Sequence, residues 1–183
     1  MPDRRSIKKA DERFHIRNFV EWLNSTYRCH YRVTAEPEPP EAIIQSKSKT
    51  SWIEISTAFL DQTHARDTMS QATPGEQPTG GNRRLIIGPD EMAASNLVSV
   101  VKKKLEKASY ASVAREYGPG YLVIPIRNPL FDNHTLECIK KEWANATIND
   151  RGYFRSVRLT FQPVIHGFVQ PNWVFYRLQA KRT

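Results

Sequence analysis

Tyr121-Leu122-Val123-Ile124-Pro125-Ile126 is apolar throughout, with no polar residue alternating. Such a run reads as a strand buried on both faces, so layers must cover the sheet that contains it. Gly118-Pro119-Gly120 precedes it and ends a helical pattern over about 90–116. In that pattern Leu97, Val101, Leu105 and Ala108 share one face. An earlier amphipathic helix is expected at 8–25, with Ile16, Phe19, Val20 and Leu23 on its apolar side. Tyr27 to Thr34 suits a strand. Glu36-Pro37-Glu38-Pro39-Pro40 is irregular, because proline removes donors and restricts its neighbours. Strands follow near 41–46 and 51–57, and the short link between them predicts an antiparallel hairpin. A helix at 133–145, capped by Asp132 or Asn133, and strands near 153–161 and 173–179 complete the order. This succession predicts an α/β fold, a central mixed sheet flanked by helices, in one domain over 1–183.

Residues 61–83 break the pattern. Ser70 to Gly81 has almost no apolar content, so a mobile loop is expected at about 61–83. No apolar run approaches the roughly 20 residues that cross a membrane, and the charged start Met1-Pro2-Asp3-Arg4-Arg5 is unlike a signal peptide. Cys29 and Cys138 are far apart and show no metal-ligand spacing. The reading is a reduced, cytoplasmic protein. The formal charge is +8, and its distribution is uneven. Residues 151–183 carry Arg151, Arg155, Arg158, Arg177, Lys181 and Arg182 and no acid, and Lys102-Lys103-Lys104 with Lys107 forms a second cluster. Such fields attract polyanions, so nucleic acid is the expected partner, membrane is not, and a homodimer is allowed.

Against this background one carboxylate is out of place. Glu54 lies within the apolar strand Ser51-Trp52-Ile53-Glu54-Ile55-Ser56, and Glu41 opens the preceding one, Pro39-Pro40-Glu41-Ala42-Ile43-Ile44. On the first helix Glu12 falls on the face of Ile16, whereas Glu21 points away. On the second, Lys104 falls beside Leu97 and Val101. A charge on a core-facing stripe is costly without a partner or a task. Two acids on neighbouring strands suit a hard cation such as magnesium, which needs one or two carboxylates plus water and phosphate. An ammonium beside them would stabilise charge developing on a scissile phosphate.

Glu12, Pro40-Glu41, Glu54 and Lys104, on a helix, three strands and a following helix, resemble the PD-(D/E)XK nuclease superfamily over about residues 10–127. The resemblance implies a restriction-endonuclease-like three-layer sandwich and metal-dependent phosphodiester hydrolysis. It makes Glu41 and Glu54 magnesium ligands with the Ile55 carbonyl as a third, Lys104 the water-orienting lysine and Glu12 an auxiliary acid. The sequence departs from the family in two places. Glu41 stands where the first acid is usually Asp, and Ser56 stands where a lysine is expected two residues after Glu54.

Each of these residues also has a plainer reading. Glu54 suits a half-exposed strand, Glu41 an exposed strand start, Lys104 a snorkelling stem and Glu12 the first turn of a helix. Two further classes therefore stay open: a catalytically inactive nucleic-acid-binding module of the same fold, and a protein-interaction component. No phosphate-cradling Gly-rich loop and no Gly-x-Ser-x-Gly elbow is present. His15, His30, His64, His134 and His166 show no metal spacing, and His64-Ala65-Arg66 suits a surface role or a phosphate contact from the loop. Trp22, Trp52, Trp143 and Trp173 suit packing better than base stacking.

Overall fold

The structure, a computed structural model, describes residues 3–59, 62–73, 75–76, 87–127, 131–162, 164–165, 168–169 and 173–179. The first element is α1 (Arg4–Tyr27). It starts four residues before the periodic pattern because Asp3 caps it, accepting a hydrogen bond from the Ser6 amide at 2.7 Å. It also runs through Tyr27, which the sequence assigned to a strand. Asn24 fixes the turn that follows: its side chain accepts from the Tyr31 amide and donates to the Tyr31 carbonyl. The first strand, β1 (Arg32–Ala35), is therefore short and exposed.

The strands β2 (Ala42–Gln45) and β3 (Thr50–Ile55) form the expected antiparallel hairpin, with Ile43 opposite Trp52 and Ala42 opposite Ile53. After a break at Ser56 and Thr57, β4 (Ala58–Phe59) pairs with the end of β5 (Gly120–Arg127). The helix α2 (Gln62–Ala72) then occupies the first half of the stretch read as a loop. Ala, Gln, Arg and Met within it are good helix formers, and the Pro- and Gly-rich stretch after it obscures that signal. Residues 77–83 of the expected loop lie outside the described residues.

The long helix at 90–116 is in fact broken. It comprises α3 (Pro89–Leu105), a single 3-10 turn over Ala108–Tyr110 and α4 (Ala111–Tyr117). Lys107 is extended, so Ala108 leaves the apolar stripe and is exposed. The same break turns Tyr110 inward, where its ring lies 5.6 Å from Trp52 and 5.2 Å from Phe154. The last helix, α5 (Asn133–Asn145), begins at Asp132, whose side chain accepts from the Thr135 amide in a capping box. β6 (Phe154–Phe161), the short pair β7 (Val164–Ile165) and β8 (Phe168–Val169), and β9 (Val174–Leu178) follow.

The architecture is α/β, with an open, mixed seven-stranded sheet in the order β1-β2-β3-β5-β6-β9 and β4 beside β5. β5 is parallel to β3, β4 and β6, whereas β1-β2, β2-β3 and β6-β9 are antiparallel. One face packs Ala42, Ile44, Ile53, Ile55 and Val123 against Ile16, Phe19, Val20 and Leu23 of α1. The opposite face packs Ile43, Trp52, Leu122, Ile124 and Leu159 against α3 and α5. These two layers explain why β5 is apolar on consecutive residues. Among the described residues no helix is long and apolar enough to cross a membrane.

Gly120 is fixed by packing. A Cβ built there would stand 2.3 Å from the Trp52 ring, itself fully buried. Gly120→Ala is expected to cost about 1–3 kcal/mol through overpacking, read as a lower urea midpoint at unchanged slope. An unaltered midpoint would show that the indole has room to move.

Candidate functional site

The register of the β2-β3 hairpin places the two carboxylates. Ile43 faces Trp52 and Ala42 faces Ile53, so one further step sets Glu41 beside Glu54. Side chains alternate along a strand, and this step directs both acids to the face covered by α3. Like charges directly opposite one another on a sheet repel, so the pair requires compensation, and α3 with the turn after it supplies it. Lys104 Nζ donates to Glu54 Oε1 at 2.5 Å, and the Tyr110 hydroxyl donates to the same oxygen at 2.5 Å. Glu54 is 2% exposed, and its Oε2 is buried without a hydrogen-bond partner of good geometry. Glu41 is half-buried, and its Oε2 accepts the Ile55 amide at 3.1 Å.

The electrostatics of the pair follow from this arrangement. Burial, reinforced by the neighbouring Glu54 carboxylate, pushes the Glu41 carboxyl up to about 8. Burial also acts to raise Glu54, but hydrogen bonding with Glu41 and the charge and hydrogen bonds of Lys104 and Tyr110 outweigh it. Glu54 is held below the ordinary carboxylate range. The two acids therefore share one proton, which resides on Glu41 near neutral pH. Burial and Glu54 raise the Tyr110 hydroxyl above its usual range, so it stays a neutral donor.

A cavity of about 420 Å³ opens beside the pair. Glu41, Ile55, Ser56 and Thr57 form one wall, Lys104 contributes from α3, and Thr68 and Ala72 come from α2. Glu12 reaches it from α1; it is 8% exposed and paired with Lys8 at 3.1 Å. Lys8 lies one helical turn before Glu12, a spacing visible in the sequence. The far wall carries Arg127, at the end of β5, and Asp11. Arg127 pairs with Asp11 and donates to His15 Nε2 at 3.1 Å. Burial lowers His15 to about 4, so at neutral pH it is an uncharged acceptor with its proton on Nδ1.

The fold thus brings Glu12, Glu41, Ile55 and Lys104 to the lining of one cleft, with Glu54 buried beneath it and held by Lys104. It adds Lys8, Asp11, Tyr110 and Arg127, which the sequence did not single out. Tyr110 had no signal, because its inward turn depends on the break after α3. Trp52 and Trp143 are buried and Trp22 and Trp173 half-buried, in keeping with packing roles. Of the histidines, the His64 side chain and the whole of His166 lie outside the described residues.

The absence of metal spacing in the sequence did not foresee one cluster. His134 and Cys138, four apart on α5, meet Glu91 of α3 with ligand atoms within 4.8 Å of one another. Glu91 and His134 are exposed, and Glu91 lies thirteen residues before Lys104, about 20 Å along the helix. This surface group is separate from the cleft.

The donor set suits a hard cation. Glu12 and Glu41 bring carboxylates to the cavity lining, Glu54 lies buried beside Glu41, and among the described residues no sulfur or imidazole lines the cavity. Comparison with protein-family models, curated proteins and solved structures returned no match to this chain.

Proposed function

We propose that the cleft is the active site of a magnesium-dependent nuclease with a divergent PD-(D/E)XK, restriction-endonuclease-like arrangement. One observation carries the reading: two neighbouring-strand carboxylates meet beside an inward lysine, and Glu41 and that lysine line a cavity open to a substrate. Glu41 and Glu54 would hold the ion through Glu54 Oε2 and the Glu41 carboxylate, with the Ile55 carbonyl as a third ligand. The ion, when bound, neutralises phosphate charge and acidifies water.

The remaining roles belong to the chain. Lys104 has three donors and spends one on Glu54, so it retains hydrogens to orient an attacking water and to stabilise charge on the phosphate. Tyr110 and Lys104 hold Glu54 Oε1, which leaves Oε2 as the ligand atom once the proton shared with Glu41 has gone. Lys8 and Arg127 place positive charge on the cleft walls, where a phosphodiester backbone would run. Glu12 fixes Lys8 and acts as the auxiliary acid.

The test is cleavage of DNA and RNA by purified protein with and without magnesium, compared with Glu54→Gln. The expected loss is at least about 100-fold, the scale of removing one preorganised electrostatic group. Equal cleavage by both proteins would take Glu54 out of the mechanism.

One observation favours a second reading, an inactive nucleic-acid-binding module. Ser56 stands on the cavity wall where the superfamily's lysine is expected, and Lys104 is already committed to Glu54. That reading is selected by salt-dependent nucleic-acid binding with no cleavage in magnesium or manganese.

A further inference from the structure

A second polar site lies on the α1 side of the sheet, beside the last turns of that helix. Ser156, Arg158 and Thr160 alternate along β6 and so share one face. All three are buried, and among the described residues Ser156 Oγ, Arg158 Nε and Thr160 Oγ1 lack hydrogen-bond partners. Arg158 is 9% exposed. Its contacts are the Trp22 ring, 4.8 Å from its guanidinium carbon, and the Tyr27 hydroxyl, which accepts from it at 3.2 Å. Among the described residues no carboxylate pairs with it. β9 places Arg177 directly opposite Arg158. Arg155 joins them, over the Tyr121 ring at 5.4 Å and donating to the Pro119 carbonyl. With Lys49 these arginines line a cavity of about 270 Å³ that no acid borders among the described residues.

A buried guanidinium without a counter-charge is expensive, and two arginines facing each other across a ladder add repulsion. An anion removes both costs, and a guanidinium fork matches phosphate oxygens in pairs. Tyr27, Tyr31 and Tyr121 supply aromatic walls beside the charge, the combination that holds a nucleic-acid strand by backbone and base face together. Tyr27 follows Glu12 by fifteen residues, about 22 Å along α1. The pocket is therefore remote from the carboxylates.

We infer that Arg155, Arg158 and Arg177 form a phosphate-binding subsite that grips a single nucleic-acid strand away from the cleft. The inference rests on the nucleic-acid reading above and adds to it where, and in what form, the strand is held.

The experiment measures anisotropy of a fluorescent single-stranded oligonucleotide in EDTA, across a salt series. It compares wild type, Arg177→Ala, Arg155→Ala and Arg158→Met, with the exposed Arg115→Ala as a charge-matched control. Each pocket variant is expected to weaken binding about 5- to 10-fold and to lower the slope of log affinity against log salt by about 0.7. Arg177 is exposed, so its variant reports even if Arg158→Met does not fold. Cleavage in magnesium should show a higher KM at unchanged kcat. Pocket variants that bind like Arg115→Ala overturn the subsite and leave the nuclease reading intact. Tighter binding of duplex than of single strand, with the arginine effects confined to duplex, overturns the single-strand assignment. Stabilisation by inorganic phosphate that needs Arg177, with no oligonucleotide binding, overturns the strand as occupant and the nucleic-acid reading with it. Loss of cleavage in Glu54→Gln with these binding effects retained supports both.

Discussion

Lys104→Met is expected to lower the unfolding free energy by about 3 kcal/mol, the scale of leaving one member of a buried ion pair alone. Its partner Glu54 has a side chain only 3% exposed, and Lys104 is itself 24% exposed, so solvent screens the pair little. Tyr110 still donates to Glu54 in the variant, which places the loss at the low end of the range. The double variant Lys104→Met with Glu54→Gln should recover much of it, because the stranded charge is then gone. Coupling between neighbours of this kind reaches about 3 kcal/mol. Urea unfolding of the four proteins of the cycle measures it. A single-variant loss within about 0.5 kcal/mol, typical of a surface change, would mean that Glu54 is not held as a buried anion.

The second large effect concerns the proton shared by the acids. Glu41 titrates near 4.5 when unfolded and at about 8 when folded. Between these values the native protein binds more protons than the unfolded chain, so stability falls as pH rises, by at most about 1.4 kcal/mol per pH unit. Glu54 runs in the opposite sense. Its folded carboxyl is depressed, so its contribution is complete above the ordinary range and is lost in acid. The descending limb from about pH 5 to 8 thus belongs to Glu41, and Glu41→Gln should flatten it. The same proton must leave when a dication binds the pair. At pH 7 magnesium binding is expected to release roughly one proton, since Glu41 is then mostly protonated. Calorimetry in buffers of different ionisation enthalpy counts it. Binding without proton release would place the ion elsewhere.

Much of the frame is legible in hydropathy and punctuation. The unbroken run around Val123 announces a doubly covered strand, and Asp132 before α5 marks its N-cap. The hairpin is legible because a short polar link joins two apolar runs, and its register then brings Glu41 to Glu54. Lys104 is legible as a charge on an apolar stripe. Tyr110 is not, because its position depends on a helix break that local propensity does not mark. Lys107 turns extended with no glycine or proline beside it. The helix α2 is hidden by neighbouring polar residues, and β4 by being two residues long. The group Asp11, His15 and Arg127 is also illegible, since Arg127 lies more than a hundred residues from the other two and reaches them only through the sheet. The unpaired polar stripe on β6 reads in sequence as an ordinary strand with a polar side. Its cost appears only once α1 covers it.

The parallel pairing of β3 with β5 bears on the order of assembly. Sixty-four residues separate the end of one strand from the start of the other, and that excursion carries Lys104 and Tyr110. Closing so wide a loop is entropically slow. A nascent chain can therefore zip the hairpin and juxtapose its two acids well before their neutralising partners dock. In that interval protonation of Glu41 is the one relief available locally, so mildly acidic conditions should speed the early collapse and alkaline ones retard it.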